Sequence, residues 1–115
     1  MKKIIIIIVL LLLYQACSYE ESPAQKEENN EIAYIGLQKQ RIKAVLKDPE
    51  SAQFKSMFVS KSMGVPVVCG LVNSKNSFGG YSGFQRVLSA GDMQAIESDM
   101  PAGEMDKIWN KACRK

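Results

Sequence analysis

Ten consecutive aliphatic residues, Ile4 to Leu13, set the first constraint on this chain of 115 residues. A membrane span needs about 20 apolar residues, so this run is too short to cross a bilayer. It has the length of the apolar core of a secretory signal, which also accounts for Lys2 and Lys3 directly ahead of it. We therefore expect residues 1–16 to be a leader. The rest of the chain holds one domain at most.

Tyr14-Gln15-Ala16-Cys17 follows the run. A small residue directly before a cysteine at this place resembles the lipobox of bacterial lipoproteins, although Tyr14 stands where that class usually carries Leu. The resemblance implies that Cys17 takes a diacylglyceryl group and becomes the mature N-terminus. Two acyl chains are enough for stable anchoring. Lipoproteins of this kind without Asp after the cysteine usually go to the outer membrane, and here that position is Ser18. The expected location is thus the outer membrane, facing the periplasm.

The chain has three cysteines: Cys17, Cys69 and Cys113. An odd count in an exported chain demands an explanation. If Cys17 carries lipid, Cys69 and Cys113 remain as one pair, and a disulfide is the default in an oxidising compartment. It would close a loop of about 45 residues, worth about 4 kcal/mol in the chain-entropy account. A C-x-x-C motif and histidine are both absent from the sequence. This excludes imidazole-based catalysis and His-ligated metal sites, and makes a thiol catalyst improbable on chemical grounds. A formal charge of +3 is too weak a bias to argue for nucleic acid. The reading is a non-enzyme without metal or cofactor.

Residues 17–31 read as a lipidated terminus and a flexible acidic tether. Ser18 to Glu31 carries five glutamates and one lysine, with Ser, Pro, Gln and Asn between them. Such a composition buries little apolar surface to offset ordering entropy. The body then spans 32–115. Ile32, Ile35, Ile42, Val45 and Leu46 recur at helical spacing, which predicts a helix over 32–47. Asp48-Pro49 stops it and offers a cap and first position for one further turn.

Strands are expected at 54–60, 65–73, 81–88 and 93–97, with Pro66 at the start of the second. Met105, Ile108, Trp109, Ala112 and Cys113 then line one face of a last helix. The predicted fold class is α+β: an N-terminal helix, a three- to four-stranded antiparallel sheet, and a C-terminal helix packed on the sheet and linked to it by Cys69 and Cys113. Met57, Met63, Met93, Met100 and Met105 are dispersed and read as core filler. Glu97, Asp99, Glu104 and Asp106 lie around the start of the last helix, where acids favour the helix dipole.

The most unusual stretch is 73–84, Asn-Ser-Lys-Asn-Ser-Phe-Gly-Gly-Tyr-Ser-Gly-Phe. Its glycines permit positive φ and close approach to the backbone. Asn73, Lys75 and Asn76 supply donors, and Phe78, Tyr81 and Phe84 supply aromatics, a mixture typical of recognition surfaces. The same stretch also reads as a long hairpin connection whose aromatics fold back on the core. It lacks the spacing of a phosphate loop.

The set Asp48-Pro49-Glu50-Ser51-Ala52-Gln53-Phe54, Val68-Cys69-Gly70-Leu71-Val72-Asn73-Ser74-Lys75-Asn76, Gly79-Gly80-Tyr81-Ser82-Gly83-Phe84, and Trp109 with Cys113 resembles a family of small exported proteins of Gram-negative bacteria. The resemblance covers roughly residues 40–113. It implies an envelope location and a Cys69–Cys113 pair, directs attention to the 73–84 loop, and implies no activity. The expected role is a periplasmic protein-interaction module held to the membrane by its lipid, with a protein partner in the envelope. The alternative is an inhibitor or immunity protein against a wall-degrading enzyme or toxin, or a phage-exclusion lipoprotein.

Overall fold

The structure is a computed structural model that describes residues 1–17 and 20–115, excluding the side chain of Cys17. Helix α1 (Lys2–Cys17) contains the aliphatic run. No helix among the described residues is long and apolar enough to cross a membrane. Helix α2 (Pro23–Val45) precedes a 3₁₀ turn at Pro49–Ser51. Strands β1 (Gln53–Ser60), β2 (Val67–Asn73), β3 (Gln85–Ala90) and β4 (Met93–Ile96) follow. A second 3₁₀ turn (Glu97–Asp99) leads to helix α3 (Glu104–Ala112).

The strands form one antiparallel meander in the order β1-β2-β3-β4. Connections therefore alternate between two ends of the sheet. The 61–66 and 91–92 connections lie at one, the turn end. The 73–84 loop and both 3₁₀ turns lie at the other, the loop end.

Alternate residues of each strand face opposite layers, and here both layers are filled. On one face Val67, Cys69 and Leu88 pack with Met105, Ala112 and Cys113 of the C-terminal segment. On the other, Val72, Val87 and Ile96 pack with Ile42 of α2. The sheet is thus sandwiched between two helices, which is why β2 reads as a nearly unbroken apolar run. The Cys69–Cys113 disulfide joins β2 to the end of α3, with Cα atoms 5.9 Å apart.

In β1, a bulge shifts the register between Lys55 and Phe58, with Ser56 at φ +55°. The bulge drives Met57 towards β2 opposite Gly70. A Cβ added at Gly70 would collide with the Met57 side chain and stand 3.0 Å from its Cα. Gly70 is therefore required by close approach, not by its own φ.

One expectation is overturned. Residues 23–31, expected to be part of a flexible tether, are the first turns of α2. Ser22 caps the helix by accepting a bond from the Gln25 N–H, and Pro23 occupies the first turn. The costly nucleus of the helix is already formed further along, where Gln38 and Ile42 are buried, so extension through good helix formers needs no apolar burial of its own. Lys61 adds an ion pair to Glu27 at 3.3 Å.

The third strand also begins later than expected. Tyr81 belongs to an isolated bridge with Lys75, and Phe84 lies outside the sheet. The 3₁₀ turn after Pro49 does form, but Asp48 makes no side-chain cap.

Candidate functional site

The 73–84 loop is a tight, hydrogen-bonded structure whose donors are largely spent on itself. Asn76 organises its tip. The Asn76 side-chain oxygen accepts from Phe78 N at 3.0 Å and Gly80 N at 3.3 Å. The Asn76 N–H donates to the Gly80 carbonyl at 2.9 Å, and the Gly79 N–H donates back to the Asn76 carbonyl at 3.0 Å. Gly79 adopts φ +79°, a conformation L side chains rarely adopt, which explains a glycine there. At the base, the Asn73 side-chain oxygen accepts from Gly83 N at 3.0 Å and its amide donates to Gln53 at 3.3 Å.

Ser51 pins the loop to the body. The Lys75 N–H donates to the Ser51 hydroxyl at 2.8 Å, and the Tyr81 hydroxyl donates to the Ser51 carbonyl at 3.2 Å. The Lys75 ammonium sits 5.7 Å from the centre of the Tyr81 ring. Ser51 was missed as a site residue because its 3₁₀ turn is distant in sequence. The pairing of the Ser51 hydroxyl and carbonyl with two loop donors appears only when the chain closes.

The six expected contact residues therefore separate by role. Asn73, Lys75, Asn76 and Tyr81 hold the loop's shape. Phe84 lies on its flank, half-exposed beneath the Lys55 ammonium at 5.5 Å. Phe78 alone projects, with 98% of its surface exposed. Behind the tip, an open cleft of about 360 Å³ runs between the loop and the end of α2. Lys47, Ser74, Lys75, Asn76, Ser98 and Asp99 line it, of which only Lys75 and Asn76 were expected contact residues.

The acids of the 97–106 region do not face one another across this cleft. Arg86 gathers two of them, at 2.5 Å to Glu97 and 2.7 Å to Asp106, and lies 5.8 Å from the centre of the Trp109 ring. The Arg86 side chain and backbone N–H both donate to Glu97, holding its carboxyl below the usual range. The side-chain hydrogen bonds to Glu97 and then to Asp106 raise the already high pKa of Arg86. Glu104 is engaged by Lys107 at 3.3 Å. This arrangement anchors α3 and its preceding turn.

Cys17, the expected lipid attachment point, ends α1, and its side chain lies outside the described residues. No family profile, curated protein or solved structure matches the chain.

Proposed function

We propose that this chain is an envelope lipoprotein, anchored through Cys17, whose body acts without catalysis by presenting the 73–84 loop to a protein partner in the periplasm. The observation that carries the reading is Phe78, a fully presented aromatic on a tip already ordered by Asn76. An ordered loop loses little conformational entropy on binding, and an exposed aromatic supplies contact area. The leader-like run ahead of Cys17 supports the anchor.

Amine-directed crosslinking in intact envelopes, which can act through Lys75 of the same loop, tests the proposal. A discrete protein adduct is expected in wild type. Phe78→Ala should abolish partner capture while moving stability by less than about 0.5 kcal/mol, since the ring buries almost nothing in the free protein. Unchanged capture by Phe78→Ala would remove the loop from the proposal. Intact mass spectrometry of the mature chain checks the anchor separately, by cleavage before Cys17 and added lipid mass.

A projecting tip is also the shape of an inhibitory plug. Lys75 and Tyr81 are held back against Ser51, so such a plug would lead with Phe78. Inhibition of wall-degrading hydrolases by the wild type, lost in Phe78→Ala, would favour that reading.

A further inference from the structure

Two of the methionines expected in the core are not there. Met93 is 80% exposed and Met63 is 57% exposed, with Val65 at 55%. All three lie at the turn end, in the 61–66 connection and at the start of β4. With Ile108 they rim a groove of about 260 Å³ whose wall is almost wholly aliphatic and methionine carbon. A contiguous exposed apolar patch marks a contact surface. Its position relative to the anchor points to what covers it.

Helix α2 begins at this same end. The Tyr34 hydroxyl donates to the Pro66 carbonyl at 3.1 Å and accepts from the Gly91 N–H at 3.4 Å. The 61–66 connection continues along the helix until Lys61 meets Glu27, one turn from Pro23. Cys17 lies six residues before Pro23, a reach of about 20 Å at full extension. A lipid on Cys17 would therefore hold the apolar patch close to the bilayer continuously, at high effective concentration. A soluble partner would meet this end only at its bulk concentration.

Charge neither drives nor opposes the contact. Lys26, Lys61, Lys111, Arg114 and Lys115 are matched in number by Glu20, Glu21, Glu27, Glu28 and Glu31 on the neighbouring start of the chain. Asp92, beside Met93, is paired with Arg41 at 2.9 Å. Such a surface suits a phospholipid bilayer entered by apolar side chains, and methionine adapts well to irregular packing.

We propose that the turn end rests on the phospholipid bilayer, with Met63, Val65 and Met93 entering the headgroup–acyl boundary. The 73–84 loop lies at the opposite end of the sheet, so this seating directs Phe78 away from the membrane. The inference rests on the lipid-anchor reading of Cys17 and adds an orientation to it.

Methionine oxidation reads the contact directly. The full mature chain is placed in vesicles of phosphatidylethanolamine and phosphatidylcholine and exposed to hydrogen peroxide, with a short soluble methionine peptide in the same sample. Sulfoxide at Met63 and Met93 should form at least about fivefold more slowly than in the peptide, because the oxidant is water-borne. Protection should persist at about 0.5 M salt, which screens charge but not apolar burial. It should also persist when the protein is diluted tenfold in lipid. Oxidation of Met93 at the peptide's rate overturns the seating, even where intact mass shows an acylated chain and the anchor stands. Protection lost on dilution overturns it in favour of contact between copies, and protection lost in salt overturns the apolar mechanism. A chain without lipid mass overturns the anchor reading and the seating together.

Discussion

The two helices that sandwich the sheet are held in opposite ways. Helix α3 has nine residues, too short to persist alone, and it is tied down at both ends. Arg86 grips Asp106 in its first turn, and the disulfide grips Cys113 just beyond its last. Met105 beside the first restraint is buried, and Trp109 between the two packs edge-on to Phe58, with ring centres 6.3 Å apart. Helix α2 has 23 residues, yet only Gln38 and Ile42 are buried. A long helix can thus depend on one buried apolar and one buried polar residue with surface contacts such as Arg41–Asp92 and Tyr34–Pro66 around them, while a short one needs covalent restraint as well. Length measures propagation along the backbone, whereas attachment is decided by what each residue buries.

The sharpest way to break this contrast is to cut the covalent restraint. Replacing both Cys69 and Cys113 by Ser should cost about 4 kcal/mol in denaturant unfolding and raise hydrogen exchange in α3 before α2. Equal melting of oxidised and reduced protein would show that packing alone holds α3. On the other face, Ile42→Ala should cost about 3 kcal/mol, because the side chain is wholly buried among Val72, Val87 and Ile96. A loss below about 1 kcal/mol would mean that α2 is attached elsewhere.

The ionic grip on α3 gives a smaller, pH-dependent effect. Glu97 has a lowered pKa in the folded protein, so its contribution is present above the ordinary value of 4.5 and fades as pH falls below that through the lowered value. Both partners are partly exposed, so Glu97→Gln should cost no more than about 1 kcal/mol at neutral pH. The gap between Glu97→Gln and wild type should narrow in acid, and a gap that widens there would contradict the assignment.

Gln38 sharpens the comparison from the opposite side. The Ser89 hydroxyl donates to its carbonyl oxygen at 2.5 Å, but the amide nitrogen is buried with no hydrogen-bond partner among the described residues. The Gln94 side-chain amide donates to Ser89 at 3.2 Å and so offers its hydroxyl no second acceptor. Gln38→Leu should therefore cost about 1 kcal/mol, since it leaves the buried Ser89 O–H without an acceptor. Unchanged or raised stability would show that the polar contact is not needed to seat α2.

The aliphatic run, a three- to four-stranded antiparallel sheet, the apolar face of the last helix and the Cys69–Cys113 pair were all legible in the sequence. Each depends on local periodicity, turn chemistry or counting, which act over a few neighbouring residues. The tertiary structure decided the start of α2 at Pro23, because propagation from the packed Gln38 and Ile42 outweighs the polar composition of 23–31. It also separated Phe78 from Asn76 and Tyr81, and the exposed Met63 and Met93 from the buried Met105. Exposure and hydrogen-bond satisfaction belong to the closed chain, where Ser51 meets a loop 24 residues away, and residue type alone does not encode them.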